Sequence, residues 1–226
     1  MNTELASSGL AAPHPARHAR SEIRQRLRSA THGLHIRLDH HPLLAGITQA
    51  RYPLSSYGQV LLGYFHLYAW LEAGITAAIQ GVPIDFDYQE RLKLPWLRAD
   101  LDFLGLDPLA AAHLPVHATS PLAIRNAAQL AGTLYAIEGA TLGGQVIARQ
   151  VGKNRGFTSH TGARFFNGYG AETAQRWNAF EAFMQRSCGD ESSQQQACAA
   201  AIASFLAVEA TLDASHAKVQ PAGEAP

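Results

Sequence analysis

Apolar residues recur at three- and four-residue spacing along most of the chain, and strict alternation is nowhere sustained, so the pattern predicts helices and no sheet. The first helix opens at Ser21, a residue suited to capping, and carries the stripe Ile23, Leu27, Leu34 and Leu38 to a stop near Pro42. A second begins after Pro53 and runs to about Gln80, with Val60, Leu61, Tyr64, Leu67, Leu71 and Ile75 on its buried side. A third is expected from about Tyr88 to Leu104, bent at Pro95. After a proline-marked connection, Ser120-Pro121 offers an N-cap and a first-turn proline for a long helix reaching Val151. A short helix and glycine break fall within residues 161–170. A further helix spans about Ala171 to Arg186, burying Trp177, Phe180 and Phe183 or Met184. The stretch Asp190-Glu191-Ser192-Ser193 caps a last one through about Ala214. Residues 1–20 read as a flexible leader, 21–215 as one helical domain, and 216–226 as a flexible tail. The fold class is all-α, a single-domain bundle of about seven helices.

Composition narrows the function classes. The 226 residues suit one domain with a sizeable core. Eighteen basic residues balance 18 acidic ones, which gives no electrostatic case for nucleic acid or an anionic membrane. Cys188 and Cys198 are too few for a disulfide framework and lack metal-ligand spacing. No apolar run is expected to span a bilayer, and the N-terminus lacks the apolar core of a signal peptide, so a soluble, cytoplasmic setting is expected.

Two stretches depart from ordinary helix chemistry. Residues 132–147 contain four glycines, although each glycine inside a helix costs about 1 kcal/mol relative to alanine. Gly139 and Gly143 share one face, with Ala136 and Ala140 beside them, and Gly143-Gly144 is a pair at which helices kink. Close helix packing is the common cause of such a bare patch; the other is a flat, rigid ligand lying across it. On the first helix, Arg28, Thr31 and His35 fall at i, i+3 and i+7 and share an edge. Arg28 and His35 are then about 10 Å apart along the axis. That separation suits a histidine on a metal at the centre of a porphyrin and an arginine at a peripheral carboxylate. His14, His18, His32, His40 and His41 have no such company, and most histidines ligate nothing.

Together the two stretches resemble a known family. Ala30-Thr31 followed by His35 is similar to the proximal helix of heme oxygenases, and Leu134 to Gly144 looks like their distal helix, especially in bacterial enzymes encoded with bacteriophytochromes. Gly162 to Gly170 fits the same bacterial pattern. The resemblance covers about residues 21 to 215.

It implies heme b as both cofactor and substrate, sandwiched between a proximal and a kinked distal helix, with His35 as axial ligand to the iron. It places Arg28 at a heme propionate, and the backbone of Gly139 and Gly143, with Gly144, against the iron-bound ligand. Thr31, Tyr135 and Arg164 are further candidates to line the pocket. The implied activity is cleavage of the porphyrin with O2 to biliverdin, ferrous iron and CO. Electrons would come from a ferredoxin or flavoprotein reductase, or from ascorbate in vitro, and a bacteriophytochrome could receive the biliverdin. One departure stands out: where better-known mammalian enzymes carry a distal aspartate, this chain has Ala140. Glu138 lies about 200° round the helix from that position and cannot take its place. A heme carrier or sensor on the same fold is the alternative. Thiamine-degrading or di-iron relatives are disfavoured, because neither cysteine has an evident base partner and no Glu-x-x-His pair is found.

Overall fold

The computed structural model describes residues 15–81, 83–109, 122 and 124–218, with side chains from Glu22 onward. Its helices are α1 (Pro15–Asp39), α2 (Leu54–Gly81), α3 (Leu94–Phe103), α4 (Ala127–Arg155), α5 (Arg164–Asn167), α6 (Thr173–Ser187) and α7 (Glu191–His216). Among the described residues there is no β-strand. The leader before Pro15, the Ser120-Pro121 cap and the tail after Lys218 lie outside them.

The stripes bury as the periodicity requires. On α1, Ile23, Leu27, Thr31 and Leu34 face inward, and on α2 Val60, Leu61, Leu67, Leu71 and Ile75 do so. Trp177, Phe180, Phe183 and Met184 of α6 are all buried. At the start of α7, Asp190 accepts from Ser193 N at 2.8 Å and its own N–H donates to the Ser193 hydroxyl at 3.1 Å, a reciprocal cap.

Several boundaries differ from expectation. Helix α1 begins at Pro15, so Ser21 lies inside it rather than at its cap. The segment expected as one bent helix from Tyr88 is a 3-10 turn at Gln89–Arg91 followed by α3. Pro95 sits in the first turn of α3, where its missing N–H costs nothing, so it starts a helix instead of bending one. Helix α4 is capped by Asn126, whose side chain accepts from Gln129 N at 2.9 Å, and it ends at Gly156 with φ 74°. It is continuous through all four glycines.

Helix α7 packs against α1, α2 and α4, and α6 packs against α1 and α4. The proximal and distal candidates, α1 and α4, therefore share α6 and α7 as packing partners. Contrary to expectation, α7 is long and apolar enough, by length and composition, to cross a membrane. Its apolarity comes largely from alanines, whose small side chains allow the close packing at its centre of the bundle: an alanine at Gly132 of α4 would strike the Ala197 backbone of α7.

Candidate functional site

The glycines of α4 divide into two pairs. A Cβ at Gly132 would collide with the Ala197 carbonyl, and one at Gly144 would lie 2.8 Å from the Phe166 carbonyl oxygen. Both are places where a neighbouring backbone approaches too closely for a side chain. A Cβ at Gly143 would meet nothing within 4 Å, and one at Gly139 would only touch the edge of Trp177 at 4.0 Å. Packing thus explains Gly132 and Gly144; it does not explain Gly139 and Gly143. Leu142 and Val146, on the same exposed side of α4, are 42% and 50% exposed, which leaves a bare, apolar strip.

On α1, the ring of His35 is exposed, with Nδ1 3.0 Å from Asp39 Oδ2 one turn further on. A carboxylate at that nitrogen favours the tautomer whose Nε2 is free to accept, the one a metal ligand uses. The ring also lies 6.2 Å from that of Phe205 on α7. Ile36 beside it is 45% exposed. Thr31 is buried and donates to the Leu27 carbonyl at 2.8 Å. The Tyr135 hydroxyl lies near enough to Thr31, Arg24 and Arg28 of α1 for all three to act on it electrostatically. That proximity brings the two stretches near each other across α1 and α4. Burial raises the Tyr135 pKa, so its O–H stays a donor at neutral pH. The C-terminal half of α1 is pinned to α7 by Arg37, which donates to Glu209 through two nitrogens at 2.7 and 2.9 Å.

Arg164 is not brought to this group. Its guanidinium donates to the Gly168 carbonyl at 2.6 Å and stacks 4.3 Å over Trp96, while its backbone N–H and that of Phe165 donate to buried Asp100. Burial lowers its pKa. Glu138 also points elsewhere: it is 1% exposed and receives Arg91, Lys93 and Tyr169 on the inner side of α4. The Glu138 pairing has no local signal, since Arg91 and Lys93 are more than forty positions away. Asp39 did have one, a carboxylate one helical turn after the candidate ligand.

An open imidazole backed by a carboxylate, a helix stripped of side chains at two open positions, and flanking apolar residues fit a flat macrocycle with a central metal. A heme oxygenase from Neisseria meningitidis solved with NO and CO bound matches with a TM-score of 0.68 at 17% identity, covering 86% of this chain and 92% of that one. The heme oxygenase of Leptospira interrogans matches at 0.67 and 14% identity, covering 84% and 98%. These define an all-α fold of the heme oxygenase type. In sequence, a heme oxygenase of Xanthomonas campestris pv. campestris (strain 8004) is 29% identical over 163 residues, 72% of this chain and 92% of that protein. A family model described as heme oxygenase matches residues 21–213. The chain belongs to the heme oxygenase family and is an enzyme that degrades heme.

Proposed function

We propose that heme binds between α1 and α4 with Nε2 of His35 on the iron, and that the observation carrying this reading is the contrast between open Gly139 and Gly143 and packed Gly132 and Gly144. When bound, the heme supplies the iron at which O2 is activated and is itself the molecule oxidised, to biliverdin, ferrous iron and CO.

The chain's own residues do the rest. Asp39 accepts the Nδ1 proton of His35 and fixes the ring's tautomer and orientation. Arg28, exposed on the same edge, would hold a heme propionate by a charge-assisted pairing. Tyr135 of α4 stands near Thr31 of α1 at that end of the site. The Gly139 and Gly143 backbone lets the distal side approach the reacting face without a side chain in the way. Gly144 supports that face from behind by admitting the Phe166 carbonyl. Ala140 is exposed, so no acid of α4 reaches the distal side from that position. Arg164, stacked on Trp96, contributes by holding the 164–168 turn beneath α4.

Electrons come from a ferredoxin or flavoprotein reductase, or from ascorbate in vitro; the reaction runs in the cytoplasm, and a bacteriophytochrome is the proposed recipient of the biliverdin. The test is optical. The protein is titrated with hemin, then reduced under air. A one-to-one Soret complex that gives way to a biliverdin band, and that His35→Ala fails to form, supports the proposal. A Soret complex that persists with competent donors assigns the chain to heme carriage instead.

A further inference from the structure

Next to Gly139 in sequence but on the inner side of α4 lies a buried charge cluster for which the pocket itself has no use. Glu138 Oε2 accepts from Arg91 at 2.8 Å, Oε1 accepts from the Lys93 ammonium at 2.8 Å, and the Tyr169 hydroxyl donates to the same carboxylate at 3.0 Å. Lys93 also donates to the Arg91 carbonyl at 2.8 Å, and Arg91 reaches the Arg176 carbonyl of α6 at 3.2 Å. Glu72 of α2 accepts from the backbone N–H groups of Lys93 and Leu94. Glu138 and Lys93 are each 1% exposed. Two cations face two carboxylates, so the cluster is balanced, and each of its charges has lost its water. Buried charges of this kind cost folding energy and are commonly neutral or worse for stability compared with apolar residues. A positional role accounts for the arrangement better than a stabilising one.

The helix geometry indicates which position is being set. Glu138 lies about 100° round the axis from Gly139 and about 140° from Gly143. It therefore grips α4 on the side turned away from the open glycines, tying it to the 3-10 turn at Gln89–Arg91, to α6 and, through Lys93, to α2. A rotation of α4 by about 20° would move backbone at a radius of about 2.3 Å by roughly 0.8 Å. That is the scale of misplacement that costs about a hundredfold in a positioned reaction. We propose that Glu138 is a positioning residue: held by Arg91, Lys93 and Tyr169, it fixes the rotation of α4 and so the placement of the Gly139–Gly143 backbone over the heme, which selects the meso carbon that is cleaved. The proposal rests on the heme-cleaving reading above. Glu138 is not a proton donor to that site, since its carboxylate faces inward and is occupied by three donors.

The test uses the full chain, wild type, with Tyr169→Phe and the charge-balanced pair Glu138→Gln with Lys93→Gln. Leu130→Ala, a core change on the same helix, is the control for general loosening. Two quantities are measured: the isomer composition of the biliverdin formed from hemin with ascorbate, and amide hydrogen exchange across residues 139–147 in the heme-free protein. The charge-balanced variant is expected to bind hemin, to raise the minor isomers at least fivefold and to exchange at least tenfold faster in that segment. Tyr169→Phe is expected to raise the minor isomers at least twofold, and it decides the matter alone if the double variant does not fold. Leu130→Ala should keep the wild-type isomer composition. Wild-type isomers from the folded clamp variants, or equal scrambling by Leu130→Ala, would overturn the proposal. If wild type makes no biliverdin, the heme-cleaving reading and the isomer selection fail together. Hydrogen exchange then still decides whether Glu138 holds α4.

Discussion

Gly144 and Phe166 meet backbone to backbone: a Cβ on the glycine would stand 2.8 Å from the Phe166 carbonyl oxygen, although Gly143, its neighbour in sequence, faces open space. Adjacent glycines on one helix thus serve opposite needs. Gly144→Ala is expected to lower stability by about 1–3 kcal/mol through overpacking, read as a fall in Tm of the heme-free protein. Gly143→Ala should leave Tm unchanged or raise it slightly, because alanine is the better helix former by about 1 kcal/mol. The same Gly143→Ala change should slow hemin consumption by roughly tenfold or more, since it places a methyl on the reacting face. Equal losses of stability from both would remove the distinction.

His35 and Asp39 lie one turn apart, Nδ1 to Oδ2 at 3.0 Å, on an exposed edge of α1. Asp39→Ala is expected to weaken hemin binding by about tenfold, the usual effect of removing a group that orients a metal ligand. Hemin titration followed at the Soret band measures it. An unchanged affinity and spectrum would show that Asp39 does not orient the ligand.

Tyr135→Phe removes the hydroxyl that lies near Thr31 of α1. Loss of a neutral hydrogen bond there, about 1 kcal/mol, corresponds to about fivefold in hemin affinity if that hydroxyl shapes the site. Far-UV circular dichroism should stay the same. A hemin titration that overlays wild type would confine Tyr135 to packing.

The cap of α7 carries a pH dependence whose sign is fixed. Backbone and side-chain hydrogen bonds from Ser193 hold the Asp190 carboxyl below its ordinary value of 3.8. A depressed acid contributes stability above its unfolded pKa and loses it as pH falls through the folded one. The Tm of wild type relative to Asp190→Asn should therefore be flat above about pH 5 and decline below about pH 4. A difference that stays constant through that acid range would show that the charged form is not what caps the helix.

The sequence by itself determined the helices and which side of each is buried, because apolar spacing is a property of the chain read along its length. The stripes of α1 and α2, the aromatic face of α6 and the Asp190 cap all follow from residues no more than a few positions apart. So does the pairing of an Ala-Thr dipeptide with His35, and the cluster of glycines between 132 and 144. Boundaries were less legible where capping is a competition between neighbours. Asn126 starts α4, and Pro95 opens α3 where a bend was expected, since proline fits a helix's first turn without loss.

Only the tertiary structure decided what each glycine is for. Whether a missing Cβ makes room for Ala197, for Phe166 or for a ligand depends on what stands opposite, and those partners come from segments brought together by folding. The same holds for Glu138. One position from the open face in sequence, it is turned inward by the 100° step of the helix, and its partners Arg91 and Lys93 arrive from a turn forty-five and more residues away. Periodicity along the chain specifies that such a residue is buried; only the packing of α4 against the 3-10 turn, α6 and α7 specifies which charges meet it there.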